Sequence, residues 1–127
     1  MTDPVAHLFA ELGEPLLRKV VGAFYQRVRK DTLIGPMYPP DDWENAEKRL
    51  ADFLVFRFGG PPLYLQERGH PRLRARHFPF PIDTAARDRW LLLMNEAMDE
   101  CEVADTSQEP MRAFFAQVAD AMRNREG

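Results

Sequence analysis

Arg68-Gly69-His70-Pro71-Arg72-Leu73-Arg74-Ala75-Arg76-His77-Phe78-Pro79-Phe80-Pro81-Ile82 is the stretch on which the reading of this chain turns. It holds two of the three histidines, and four arginines lie between Arg68 and Arg76. The spacing predicts a short helix from Pro71 to Phe78, because proline is tolerated in a first turn and Pro79 biases Phe78 away from helical angles. On that helix Leu73 and His77 share a face at i, i+4, with Arg72 and Arg76 on an adjacent one. His77 is therefore expected to look into apolar interior, with cations along the rim. Such a site suits a flat, apolar, anionic ligand that needs one nitrogen, and haem has that description.

Taken alone, the same residues have plainer readings. A histidine on an apolar helix face is commonly a satisfied core residue, and an arginine run is commonly a solvated face or a phosphate patch. The rest of the chain has to choose between them.

With 127 residues the chain is expected to form a single domain, 1–127, large enough for a real core. Hydrophobic residues make up 45% and charged residues 29%, ordinary for a globular protein. Phe supplies nine of the fourteen aromatic rings, which favours a core of large flat side chains. The net charge of −3 argues against general nucleic-acid affinity, so the basic run is local and fits a small anion better than a polyanion. The single cysteine, Cys101, excludes an internal disulfide and a Cys-based metal cluster, and fits a reducing compartment. No signal-like N-terminus and no long apolar run is present, so a cytoplasmic protein without membrane contact is expected.

Outside the organising stretch the periodicity is helical throughout. Asp3-Pro4 is expected to open a short helix carrying Val5, Leu8, Phe9 and Leu12 and ended by Gly13, with His7 exposed. Leu16, Leu17, Val20, Val21, Phe24, Tyr25 and Val28 form the stripe of a helix from Glu14-Pro15 to about Lys30. Its inward Tyr25 needs a hydroxyl partner. Gly35-Pro36 and Pro39-Pro40 predict an irregular corner packed by Leu33, Ile34, Met37 and Tyr38. Capped by Asp41 or Asp42, a helix from about Trp43 to Phe58 turns Ala46, Leu50, Phe53, Leu54 and Phe58 inward, and Lys48, Arg49 and Asp52 outward. Asp83 is expected to cap a helix to about Glu102, with Trp90, Leu91, Met94, Ala97, Met98 and Cys101 inside. Thr106-Ser107-Gln108-Glu109 reads as a capping box for the last helix, which carries Met111, Phe114, Phe115, Val118, Ala119 and Met122. The polar end from Asn124 is expected to fray. The fold class is all-α.

In that frame the chain resembles the truncated haemoglobins, specifically their second group. The matching runs are Phe24-Tyr25-Gln26-Arg27-Val28, Pro36-Met37-Tyr38-Pro39, Phe58-Gly59-Gly60-Pro61, Gly69 through His77, Pro79-Phe80-Pro81-Ile82 and Arg87-Asp88-Arg89-Trp90-Leu91. The resemblance implies a globin-like, two-over-two helical sandwich around haem b, iron protoporphyrin IX. It implies His77 as the proximal iron ligand, Tyr25 as the distal tyrosine and Trp90 as the pocket tryptophan. Phe53, Leu54 and Phe58 match apolar positions against the porphyrin. Arg76 matches a propionate contact, with Tyr64 and His70 as further candidates. The family's polar or small distal position falls on Leu50, and its aromatic corner position on Ala46, so two donors are expected in the pocket and Leu50 is expected to gate it.

Tyr25 and Trp90 would each stabilise negative charge on bound oxygen by about 1.5–3 kcal/mol, which predicts tight, reversible binding of oxygen and other diatomic gases. An alternative is consumption of the ligand by nitric oxide dioxygenase or peroxidase-like turnover. No nucleotide-binding motif is present, so electrons would come from a separate reductase. A cofactor-free helical module binding phosphate through Arg68–Arg76 is the third reading. Monomer and homodimer are both compatible with the chain.

Overall fold

The computed structural model describes residues 3–62 and 82–124. The predicted helix from Pro71 to Phe78, and with it Tyr64, His70, Arg76 and His77, lies outside the described residues. Among the described residues there are five α-helices and no strand: α1 (Leu8–Leu12), α2 (Glu14–Lys30), α3 (Trp43–Arg57), α4 (Thr84–Glu100) and α5 (Asp105–Met122).

α2 is the hub. Leu17, Val21, Phe24 and Val28 are completely buried at helical spacing, and the helix packs against α1, α3 and α4, while α4 also packs on α5. Gly13, at φ 80°, closes α1 and leads directly into α2. Arg27, Arg29 and Lys30 occupy the last turn of α2, where cations complement the helix dipole. Asp31 then turns the chain: its carboxylate accepts from the N–H groups of Leu33 (3.0 Å) and Ile34 (2.9 Å) and from Arg89 of α4 (2.7 Å). A short 3₁₀ turn, Gly35–Met37, delivers Tyr38 to the mouth between α2 and α3. Gly35 is required there, since a Cβ would come within 2.6 Å of the Val28 carbonyl oxygen.

Several local expectations are corrected. Asp3 does accept from Val5 N–H, but α1 starts only at Leu8. Asp42 stands at the N-cap of α3 without capping it; its carboxylate instead takes Asn45 (2.8 Å) and Arg49 (3.0 Å). Asp83 does cap α4, accepting from Ala86 N–H at 2.9 Å. The capping box is absent because α5 begins at Asp105, which puts Thr106 inside the helix. Ser107 and Gln108 are buried and spend their polar atoms on tertiary ties, Ser107 to Glu11 of α1 and Gln108 to the Val103 carbonyl. Asn124 is not loose: it exchanges two hydrogen bonds with the Ile82 backbone, at 2.9 and 2.8 Å.

Asp52 was expected to face water and is instead 8% exposed. Arg18 of α2 (2.8 Å) and Lys48 (2.7 Å) both meet its carboxylate. α3 is packed on two sides, so a single apolar stripe does not describe it.

Candidate functional site

The ends of α2, α3, α4 and α5 surround a cavity of about 300 Å³. Tyr25 enters it from α2, and Ile34, Met37, Tyr38 and Pro39 from the corner. α3 contributes Ala46, Arg49, Leu50, Phe53 and Leu54, one or two helical turns apart on one face. Ile82, Ala86 and Trp90 come from α4 and its approach, and Phe114, Phe115, Val118, Ala119 and Met122 from α5. The walls are overwhelmingly apolar, with polar groups from Tyr25, Tyr38, Arg49 and Trp90.

Of the residues singled out from the sequence, Tyr25, Ala46, Leu50, Phe53, Leu54 and Trp90 line this cavity together. Phe58 does not. It is completely buried and packs edge-on against Phe114 (5.4 Å) and Phe115 (6.4 Å), which do line it. Arg49, expected to face out, is a cavity residue whose guanidinium is still paired with Asp42 at 3.0 Å.

Tyr38, expected from the sequence only as a packing residue of the corner, lines the cavity beside Ala46 and adds a third polar group to the two expected. The Tyr25 and Tyr38 hydroxyls and the Trp90 indole N–H are close enough to influence one another. Their rings interlock edge to face, Tyr25 with Tyr38 at 5.6 Å, and both Tyr25 and Trp90 with Phe24 at 5.0 Å. The signal was present in the Pro36-Met37-Tyr38-Pro39 run, but a tyrosine in a proline-rich corner reads equally well as packing.

Electrostatics follow from burial. Desolvation, then the Tyr38 phenol as a neighbouring charge and as hydrogen-bond acceptor, push the Tyr25 pKa well above 10.0. Tyr38 is partly exposed along its ring, yet burial of its hydroxyl raises its pKa too, against the opposing pull of the two donors and of Arg49. Both phenols therefore stay protonated at any ordinary pH and act as neutral hydrogen-bonding groups.

An all-helical chain that wraps a greasy cavity with a clustered set of neutral donors has the construction of a globin. Residues 7–124 match the bacterial-like globin family, and the chain belongs to it. It is 48% identical over 91 residues to a group 2 truncated hemoglobin of Bacillus subtilis, spanning 72% of this chain and 68% of that one. Among solved structures it resembles a group II truncated hemoglobin from Bacillus anthracis (TM-score 0.90, 35% identity, 94% of this chain and 97% of that one). It also resembles a truncated oxygen-avid haemoglobin from Bacillus subtilis (TM-score 0.87, 39% identity, 91% and 98%). Globin membership implies that the chain binds haem. No helix among the described residues is long and apolar enough to cross a membrane.

Proposed function

We propose that this chain binds haem b through His77 and holds diatomic gases, oxygen first among them, tightly and reversibly under the Tyr25, Tyr38 and Trp90 cluster. The cavity fits such a group: apolar walls suit the macrocycle, Arg49 offers a cation for a carboxylate edge, and Tyr25, Tyr38 and Trp90 supply neutral donors. The observation that carries the reading is the gathering of three neutral polar side chains, Tyr25, Tyr38 and Trp90, in an otherwise apolar cavity. The oxygen-avid description of the Bacillus subtilis relative supports it.

Haem supplies an iron with one coordination position left for a gas when an imidazole fills the other. Every other part is played by the chain. Phe53 and Leu54 form an apolar wall, which Phe58 supports from beneath through Phe114 and Phe115. Ala46 and Leu50, one turn apart on α3, keep the approach to the donors free of water-binding groups, and Leu50 gates it. Arg76, with Tyr64 and His70, is assigned to the propionates on family resemblance. His77 is assigned to the iron on the same resemblance and on its predicted apolar face.

The donor count explains the polarity. The indole of Trp90 can only donate, and each tyrosine hydroxyl carries one proton, so the cluster holds three neutral donors. They are placed to turn toward a gas ligand that gains negative charge. Each hydrogen bond to a charged acceptor contributes about 1.5–3 kcal/mol. In haem-loaded protein, Tyr25→Phe should speed oxygen release by about tenfold or more, read by stopped-flow absorbance. Unchanged release would remove the distal cluster from the mechanism. His77→Ala should lose the histidine-ligated haem spectrum, and a retained one would reassign the iron ligand.

Consumption of the ligand, by nitric oxide dioxygenation or peroxidase-like turnover with electrons from a separate reductase, is the second reading. One observation favours an electron-transfer role: the aromatic cluster continues to the protein surface.

A further inference from the structure

Tyr38 stacks on Trp43, with ring centroids 5.4 Å apart and planes inclined by 30°. Tyr25 meets the same indole edge-on at 6.3 Å. Trp43 is the first residue of α3, is partly exposed and does not line the cavity, so its open part belongs to the outer surface. On the inner side, Tyr38 itself lines the cavity. Tyr38 and Trp43 thus form an unbroken line from cavity to solvent, in stacking contact with each other.

The composition of that line is unusual for its position. A leucine would cover Tyr38 from the head of α3 equally well, and helix initiation does not need an indole: the first backbone bond runs from Ala46 N–H to the Asp42 carbonyl. Tryptophan and tyrosine are the side chains that most readily give up one electron, and rings in van der Waals contact pass electrons faster than enzymes turn over. The Arg29 guanidinium sits 5.4 Å over the Trp43 face. A cation there opposes a positively charged indole, so an oxidised Trp43 sheds its N–H proton to the adjacent water.

We propose that Trp43 is a surface electron port, at which electron-rich phenols too large for the cavity are oxidised one electron at a time, with hydrogen peroxide reduced in the cavity. This rests on the haem-binding reading above. Each peroxide takes up two electrons and two protons, its O–O bond breaks, and two waters result. Each of two phenols gives one electron and its O–H proton to the deprotonated Trp43 radical, which restores the indole N–H, and leaves as a phenoxyl radical. The two protons that Trp43 sheds on oxidation balance the two taken up by peroxide. Tyr38 serves as the bridge through which the electron passes inward, because it stacks on Trp43 on one side and lines the cavity on the other.

The test uses haem-loaded wild type, Trp43→Phe and Trp43→Tyr, each shown first to have a Soret band and an unchanged thermal midpoint. After mixing with hydrogen peroxide, freeze-quench electron paramagnetic resonance should show an indolyl radical in wild type that is missing in Trp43→Phe. Peptide mass spectrometry should find oxygenation at Trp43 in loaded wild type and not in haem-free protein. Turnover of a dextran-tethered phenol should fall by about tenfold or more in Trp43→Phe, recover in Trp43→Tyr, and exceed any fall with free guaiacol. An identical radical signal and tethered-phenol rate in Trp43→Phe would overturn the port and leave haem binding standing. A wild type that takes up no haem would overturn the reading beneath it.

Discussion

Asp52 and Tyr25 are both polar and both nearly sealed from water, at 8% and 5% exposure, and the fold handles them in opposite ways. Asp52 is met by two cations, Arg18 from the neighbouring helix and Lys48 from its own, at 2.8 and 2.7 Å. Tyr25 is kept neutral by burial first, then by the neighbouring Tyr38. A charge matched on the spot ties α2 to α3 and has nothing left to offer a ligand. Neutral donors gathered beside an apolar cavity can change partner at little cost, because no ion has to be re-solvated when they do.

The contrast predicts that function and stability separate between the two clusters. The largest effect belongs to the double variant Tyr25→Phe with Trp90→Phe, which should speed oxygen release on the order of a hundredfold or more, read by stopped flow. Its urea midpoint should move little, since both changes keep aromatic volume. A double variant with the wild-type release rate would break the comparison from the cavity side.

Next comes Asp52→Ala, expected to lower stability by about 1–3 kcal/mol while leaving the oxygen release rate as it was. The cost stays moderate because Arg18 and Lys48 are 39% and 54% exposed and can return to water. A large change in release with no change in denaturation midpoint would break it from the other side.

Alkaline pH sharpens the comparison. Burial first, then Tyr38, holds the native Tyr25 pKa above 10.0. The native state therefore keeps a proton that the unfolded chain gives up. The stability this supplies is whole below about pH 10 and is lost as pH rises from there toward the native value. Denaturation midpoints measured across that range should fall more gently in Tyr25→Phe than in wild type; parallel slopes would refute the account of how Tyr25 is kept neutral.

The smallest effect is expected at Arg89→Ala. Its contact with Asp31 is as short as those of Asp52, at 2.7 Å, but Arg89 is 44% exposed and Asp31 keeps two backbone N–H donors. A loss of about 0–1 kcal/mol in thermal or urea unfolding is expected. A loss matching that of Asp52→Ala would mean that the ion pair, and not the two backbone donors that remain, holds the Asp31 carboxylate.

Much of this was legible in the order of residues. The stripe Leu17, Val20, Val21, Phe24, Val28 placed α2 and its buried face, and Gly13 and Asp83 marked a stop and a start where the structure has them. Tyr25, Leu54 and Trp90 were recognisable as inward residues because a strongly periodic helix fixes which side chains share a face. Arg49 and Asp52 were not. Their placement depends on α3 having buried surface on two sides, and on Arg18 arriving from 34 positions away. Ser107 and Gln108 failed for a related reason: their cap-like pattern is used for contacts with Glu11 and Val103.

By itself, then, the sequence determined the helices, their apolar faces and the family, since those follow from local periodicity and from runs of consecutive residues. Only the tertiary structure decided that Tyr25, Tyr38 and Trp90 would meet at one cavity, and that Trp43 would carry the aromatic line to the surface. The reason is physical: a hydrogen bond or a ring stack between elements depends on how the helices cross and where a corner delivers its side chain, and no spacing along one chain encodes that directly.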